Sequence, residues 1–295
     1  MSIVAKTEEL TVAFSSDSFK PAIEKCSITI RSGEITLLSG QSGSGKTVLS
    51  RAIMSLLPKD ARIASGRIEI KEGVRKAIAF QDPDILLSPY IRIGKQIKAV
   101  LKRCGFPCSD NDAQSILCSM GLSAEASRLY PFQLSGGMKQ RASLSVALAM
   151  KPDLLIADEV CSALDKESAD TIYALLRNLA DQGMAILLVS HDYEAAAYAD
   201  MCYAMYGGCI IEKGRDAFSS PLHPYTGMLL ECRRMPESRK ERLRFIEGAM
   251  PSVMERDGRC PFLRACREKE EICSTYIPVF DDSAEKASSC IRRRK

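Results

Sequence analysis

The chain has 295 residues, 46% hydrophobic and 26% charged, and its 41 basic and 37 acidic side chains leave a formal net charge of +4. That size supports one substantial core with a small second unit, and no apolar stretch approaches the roughly eighteen residues of a membrane-spanning helix, the longest candidates, such as Met184 to Val189, being strand-sized. The opening MSIVAKTEEL lacks the basic region and apolar core of a secretion signal, so a soluble, cytosolic chain is expected.

Taken in order, runs at 3–14, 26–30 and 67–70 look antiparallel and predict a small added sheet near the N-terminus. Short apolar strands at 35–39, 76–80, 154–157 and 185–189 alternate with helical patterns, which predicts a parallel sheet flanked by helices. A helix is expected from Thr47 to Leu57. Between about 88 and 150 the pattern is helical only, with three-to-four spacing over 94–102, 111–120 and 137–150, so a helical subdomain is inserted between two strands. From about 219, Ser-Ser-Pro-Leu-His-Pro-Tyr marks a turn-rich boundary. Beyond it the chain is charged, carries few strand patterns and would need a staple to stay compact. Residues 233–295 hold 16 basic and 11 acidic side chains, and the end, Ile291-Arg292-Arg293-Arg294-Lys295, reads as a solvated terminus, with a nucleic-acid or anionic-membrane contact as the other reading.

The segment Gly40-Gln41-Ser42-Gly43-Ser44-Gly45-Lys46-Thr47 follows the strand 35–39 and opens the helix after it, the setting of a phosphate-binding loop. Glycines at 40, 43 and 45 let backbone N–H groups approach phosphate oxygens without a Cβ in the way. The following helix offers its free N–H groups and positive dipole end to the same anion. Lys46 reaches the terminal phosphates as a point charge, and the Thr47 hydroxyl is suited to Mg2+. Nucleoside triphosphate binding is therefore expected. The strand Leu154-Leu155-Ile156-Ala157 then ends in Asp158 and Glu159, placing two carboxylates where a P-loop enzyme holds Mg2+ and polarises water.

Four further segments carry a family resemblance. Leu134-Ser135-Gly136-Gly137-Met138-Lys139-Gln140-Arg141 resembles the signature motif of the ABC ATPases, Gln81 in Ala79-Phe80-Gln81-Asp82-Pro83 the Q-loop, Ser162-Ala163-Leu164-Asp165 the D-loop, and Ser190-His191-Asp192 the H-switch. The resemblance covers roughly residues 1–215. It implies an α/β fold: a P-loop NTPase core with a RecA-like parallel sheet, an N-terminal antiparallel β subdomain, an inserted α-helical subdomain, and a small Cys-rich C-terminal extension. The division expected is 1–218 for the ATPase domain and 219–295 for the extension.

The resemblance also implies roles. Glu159, His191 and Gln81 are catalytic, with His191 as γ-phosphate sensor. Asp158, Thr47 and Gln81 hold Mg2+. ATP is bound by Gly40, Ser42, Gly43, Ser44, Gly45, Lys46 and Thr47, and by Ser135, Gly136, Gly137 and Asp165, the signature residues serving the nucleotide of a partner cassette in a head-to-tail dimer. A Ser-Gly-Gly stretch ahead of a helix is itself an N-terminal anion site, which fits that division of labour. Phe14 is the candidate for stacking on adenine, with Phe19 as substitute. The family commonly has Pro-Thr after the catalytic Glu, where this chain has Val160-Cys161. That leaves the chemistry intact and places a thiol near the dimer seam.

Twelve cysteines in a cytosolic chain do not suggest a disulfide framework. The eight from Cys26 to Cys232 read as small buried hydrophobes. Cys260, Cys266, Cys273 and Cys290 cluster with five, six and sixteen residues between them, suggesting a tetrahedral metal or an iron–sulfur cluster, with chance clustering as the remaining reading. The spacing slightly disfavours a zinc ribbon. Pro221-Leu222-His223-Pro224-Tyr225-Thr226 and Gly258 to Cys266 resemble the C-terminal region of the oligopeptide, dipeptide and nickel importer branch, where four such cysteines are similar to ligands of a 4Fe-4S cluster. A 4Fe-4S cluster is thus expected ahead of Zn2+, and His223 is a branch marker with no chemistry attached.

The function expected is the ATP-hydrolysing subunit of an importer for peptides, nickel or metallophores. Its implied partners are two transmembrane permeases, a second and non-identical ATPase, toward which Met138 hints, and an extracytoplasmic substrate-binding protein. A soluble ABC ATPase acting on nucleic acid or ribosomes is the alternative, which fits poorly because this sequence shows neither the long coiled-coil insertions of DNA-repair members nor the two cassettes of translation factors. No nucleic-acid partner is expected.

Overall fold

The computed structural model describes residues 1–15, 20–233 and 250–293. Phe19, Arg294 and Lys295 lie outside them. Strands β1 (Ile3–Phe14), β2 (Lys20–Arg31) and β4 (Ala61–Ile70) form a three-stranded sheet in the order β2-β1-β4. Its register runs antiparallel as expected: Thr7 Oγ1 donates to the Cys26 carbonyl, Ser15 N–H donates to the Asp60 carbonyl, and Gly66 lies against the Glu8 carbonyl.

The four parallel-type strands form where their apolar runs predict them: β3 (Ile35–Ser39), β5 (Lys76–Ala79), β6 (Leu154–Asp158) and β7 (Ala185–Ser190). Every residue of β3, β6 and β7 is buried, which is why they read as continuous apolar stretches rather than alternating ones. β6 pairs in parallel with β5 and β7, with Ile156 opposite Ile78 on one side and Leu187 on the other. The sheet is not parallel throughout, however. Strands β8 (Met201–Tyr206), β9 (Cys209–Gly214) and β10 (Ala287–Ser288) add antiparallel pairs, giving a seven-stranded order β10-β9-β8-β3-β7-β6-β5. The β8–β9 hairpin carries a sequence signal: Gly207-Gly208 between two apolar runs, both at positive φ (54° and 79°), as a two-residue hairpin turn needs.

Helix α1 (Lys46–Ile53) ends four residues before the expected Leu57, because the chain turns at Ser55, which takes φ 59° ahead of Pro58. The inserted helices are α2 (Ile93–Arg103), α3 (Asp110–Ser119) and α4 (Gly136–Leu148). Ile93, Ile97 and Leu101 of α2 recur every fourth residue and pack with Ala113, Leu117, Leu134, Ala142 and Val146 in one apolar cluster. Each fully buried Ile or Leu there contributes about 1.5–3 kcal/mol. A capping box between Ser109 and Asp112 starts α3. Gln96 braces the chain ahead of α2 by bonding Ser88 N–H, the Ser88 carbonyl and the Ile91 carbonyl. Two more helices follow, α5 (Lys166–Asp181) and α6 (Pro224–Arg233). Among the described residues, no helix is long and apolar enough to cross a membrane.

The chain divides into two compact units. One comprises Met1–Val4, Ile30–Thr36 and Ile70–Tyr198, and the other Ala5–Thr29, Leu37–Glu69 and Ala199–Lys295. In the second, hydrogen bonds and ion pairs tie the extension beyond 219 to the rest of the unit. The Asp282 carboxylate accepts from the hydroxyls of Thr29 (2.7 Å) and Tyr203 (2.8 Å) and pairs with Lys213 Nζ at 3.1 Å, the two charged side chains being 9% and 8% exposed. Burial, with the carboxylate beside it, pushes the Tyr203 phenol well up, so it stays a hydrogen-bond donor. Lys286 Nζ bonds Asp216 at 2.7 Å.

Because Asp282 answers one buried ammonium and two hydroxyls, Asp282→Ala leaves all three without that partner. It is expected to destabilise the protein by about 3–5 kcal/mol in urea unfolding. A loss below about 1 kcal/mol, the value of an exposed pair, shows that the network holds nothing in place.

Candidate functional site

In the second unit, β3 runs into the glycine-rich loop. Gly40 is fixed by close approach: a Cβ there would come within 2.1 Å of the Met205 carbonyl oxygen. Gly45 takes φ +107° as the N-cap of α1, and a Cβ would meet Ile23 Cγ2 at 2.5 Å. Gly43 needs φ +81° and has open space around it. Lys46 is 5% exposed, and its Nζ donates to the carbonyls of Gly40 (2.8 Å) and Gln41 (3.1 Å). A buried ammonium that bonds carbonyls of its own glycine-rich loop places a positive charge where a phosphate would enter. The Ser44 hydroxyl is buried and finds no hydrogen-bond partner among the described residues. Ser42 and Thr47 are exposed at the mouth of the same loop, and Phe14 is half-buried at the end of β1.

In the first unit, Asp158 ends β6 at 8% exposure, and Glu159 follows at φ +52°. That left-handed backbone costs a non-glycine residue about 1–3 kcal/mol. It is held by Glu159 N–H donating to the Val189 carbonyl at 2.9 Å. The turn sends the carboxylate to His191, with Oε2 3.5 Å from Nδ1. His191 follows β7, and the Ser190 hydroxyl accepts the Asp192 N–H, fixing the loop. Gln81 is exposed just beyond β5.

The signature segment begins α4, with Ser135 as its N-cap accepting the Met138 N–H at 3.3 Å. The N-terminal N–H groups of the helix are thereby presented next to Gly136 and Gly137. Asp165 caps α5, accepting from Ser168 N–H (2.9 Å) and hydroxyl (2.8 Å), and these bonds hold its carboxyl below the usual range. Ser168 also lies 3.3 Å from where a Gly137 Cβ would be, so the D-loop cap and the signature glycines meet at one serine. Two residues beyond the expected set join these parts. Gln140 donates to the Phe80 carbonyl at 3.1 Å, and Lys139 pairs with Asp84 at 3.1 Å, connecting α4 to the segment around Gln81. Their position one turn into the signature helix was the available clue.

Cys260, Cys266, Cys273 and Cys290 line one cavity in the second unit, together with His223. Burial pushes the Cys260 thiol up to about 12, and the other three cysteines add to the rise. Burial also pushes His223 down to about 3, so its imidazole is neutral. Among the described residues, no three His, Cys, Asp or Glu side chains are gathered to hold a single ion. The other cysteines depart from expectation. Only Cys26 and Cys202 of these are buried, whereas Cys104 and Cys108 are exposed in the connection between α2 and α3, and Cys118 is exposed on α3, whose buried residues are Ala113 and Leu117. Cys161 is pushed up to about 12 by burial, so at neutral pH it is a protonated thiol and not a reactive thiolate.

Two family models match the chain: "ABC transporter" over residues 23–162 and "Oligopeptide/dipeptide transporter, C-terminal region" over 211–273. The dipeptide transport ATP-binding protein DppD of Escherichia coli is 36% identical, across 96% of this chain and 94% of its own length. The oligopeptide transport ATP-binding protein OppD of Salmonella typhimurium is 31% identical, across 98% and 94%. Among solved structures, the ATP-binding cassette MJ1267 in its ADP conformation superposes with a TM-score of 0.66 at 20% identity, covering 78% of this chain and 98% of that one, which speaks for the fold alone. With the glycine-rich loop, the acidic strand end and the capped signature helix all present, the chain belongs to the ABC transporter ATP-binding proteins and is closely related to their dipeptide and oligopeptide members.

Proposed function

We propose that this chain is the ATP-hydrolysing subunit of a peptide importer at the cytoplasmic face of a membrane. It pairs with a second ABC ATPase and two permease subunits, which receive peptide from an extracytoplasmic substrate-binding protein. The observation that carries this reading is that the relatives aligned along nearly the whole chain, extension included, are dipeptide and oligopeptide transport proteins. Those names lend no support to nickel, a metallophore or nucleic acid. The functional division is residues 1–218 for the ATPase and 219–295 for the extension.

The roles follow from the chemistry of each position. The loop from Gly40 to Thr47 surrounds the phosphates with backbone N–H groups, and Ser42 and Ser44 add hydroxyls. Lys46 exchanges its two carbonyls for the terminal phosphates, and Phe14 stacks on adenine. The Thr47 hydroxyl, the Asp158 carboxylate and the Gln81 amide are hard oxygen ligands suited to Mg2+, which neutralises phosphate charge when bound. Glu159 takes a proton from the attacking water as its oxygen bonds to the γ-phosphorus and the bond to the ADP oxygen breaks. His191 donates to the γ-phosphate. Ser135, Gly136 and Gly137, with Asp165, serve the γ-phosphate of the partner cassette, so ATP closes the head-to-tail dimer and hydrolysis reopens it. Cys260, Cys266, Cys273 and Cys290 hold a 4Fe-4S cluster in preference to Zn2+. Four soft thiols lining one cavity support this assignment, and the group when bound cross-links the extension.

Glu159→Gln is expected to keep ATP binding while steady-state hydrolysis falls by about 10²–10⁴-fold. Turnover near the unsubstituted level takes Glu159 out of the general-base role. Gly40→Ala is expected to weaken ATP binding at least about tenfold and to lower stability by about 1–3 kcal/mol, because the added carbon collides with a backbone oxygen. Gly43→Ala, which meets nothing but strain at positive φ, should cost about 1 kcal/mol, and equal effects at both sites would show that contact with Met205 does not shape the loop. Mild-detergent purification of the tagged chain from its own cells should recover apolar permease subunits. Recovery of ribosomes or DNA in their place removes the importer reading.

A further inference from the structure

The His-Pro-Tyr segment that opens α6 is buried, His223 being 2% exposed and Tyr225 fully enclosed. The Glu212 carboxylate clamps its start by accepting the N–H groups of Leu222 and His223. His223 Nδ1 accepts the Tyr225 backbone N–H at 3.1 Å, so the ring carries its proton on Nε2. Nε2 lies 3.8 Å from Cys260 Sγ, within the longer range of a bond to sulfur. One end of the segment thus addresses the four-cysteine cavity.

The other end addresses the phosphate loop. The Tyr225 hydroxyl accepts the backbone N–H of Gln41 at 3.1 Å. Gln41 follows Gly40, which is pinned against Met205, and its own carbonyl accepts a hydrogen bond from Lys46 Nζ. The Tyr225 ring packs 4.4 Å from Tyr206 and 5.4 Å from Phe262, and Phe262 sits two residues beyond Cys260. All these contacts lie within one compact unit.

We propose that His223 and Tyr225 form a strap through which the four-cysteine site holds the phosphate loop in its nucleotide-binding shape, so that occupancy of the four thiols governs ATP affinity. Tyr225 is a positioning residue: it holds the Gln41 N–H and leaves the remaining loop amides aimed at phosphate. His223 donates from Nε2 to Cys260 and so fixes where the strap begins. The link to thiol occupancy rests on the proposed cluster site, whereas the Tyr225–Gln41 contact stands without it.

The test measures the Kd of a fluorescent ATP analogue for the full chain, with iron and zinc content and thermal midpoint recorded beside it. Four proteins are compared: wild type, Tyr225→Phe, Cys266→Ser and the double variant. Tyr225→Phe keeps the ring and its aromatic contacts. It is expected to raise Kd about three- to tenfold, the effect of one hydrogen bond, with metal content and midpoint unchanged. Cys266→Ser, remote from the loop, should lower metal content and raise Kd by a similar factor. The double variant should be no weaker than the weaker single variant, because both break the same strap. A wild-type Kd in Tyr225→Phe, or effects of the two substitutions that multiply independently, overturns the proposal. Absence of iron and zinc from the wild type overturns the cluster reading and the link to thiol occupancy, while the Kd of Tyr225→Phe still decides the loop contact.

Discussion

The geometry of the phosphate loop depends on a close approach of two backbones. At Gly40 the main chain comes so near the Met205 carbonyl of β8 that no side chain fits, and this sets where β3 ends and the loop begins. From that point the chain needs one left-handed residue at Gly43 and another at Gly45 to reach the first turn of α1. The N–H groups of a helix start and its preceding loop then point inward together, an anion site built from peptide dipoles before any charged side chain is counted. Lys46 completes it with a buried cation that donates to the Gly40 and Gln41 carbonyls of the same loop.

The acidic strand end follows a similar logic with strain in place of close approach. A fully buried strand delivers Asp158 and then turns abruptly, with Glu159 forced into a left-handed backbone by its N–H bond to Val189. The conformation is unfavourable for glutamate by itself. It persists because β6 and β7 pair along their whole length and leave the backbone no alternative. The result is a carboxylate aimed toward His191 instead of continuing along the strand, an orientation stored in the backbone turn itself.

The extension changes the view that a metal must hold it together. Asp282, Lys213, Tyr203 and Thr29 form a buried polar network, β10 adds an edge to β9, and Phe262 packs among Tyr206 and Tyr225. The four thiols are therefore presented by a framework with its own tertiary support.

Much of this was legible in the residues, for a physical reason that differs from part to part. Continuous apolar runs identify buried parallel strands because both of their faces are covered, and Gly40, Gly43, Gly45 and Lys46 identify an anion loop because few other residues tolerate that backbone. Helices α2 to α4 announced themselves by apolar spacing. Of the β8–β9–β10 antiparallel edge only the Gly207-Gly208 turn is marked in the sequence, since the mixed Met, Cys and Tyr residues of β8 carry no clean period and β10 is two residues long. Nor did the sequence reveal that Cys104, Cys108 and Cys118 are exposed, because a single cysteine suits a buried and an exposed position alike. His223 and Tyr225 were visible only as a marker; their chemistry depends on partners at Cys260 and Gln41, far away along the chain, and such pairings are decided by tertiary packing alone. Local composition determined which backbone shapes were allowed, and the folded chain determined which distant groups those shapes bring within a hydrogen bond.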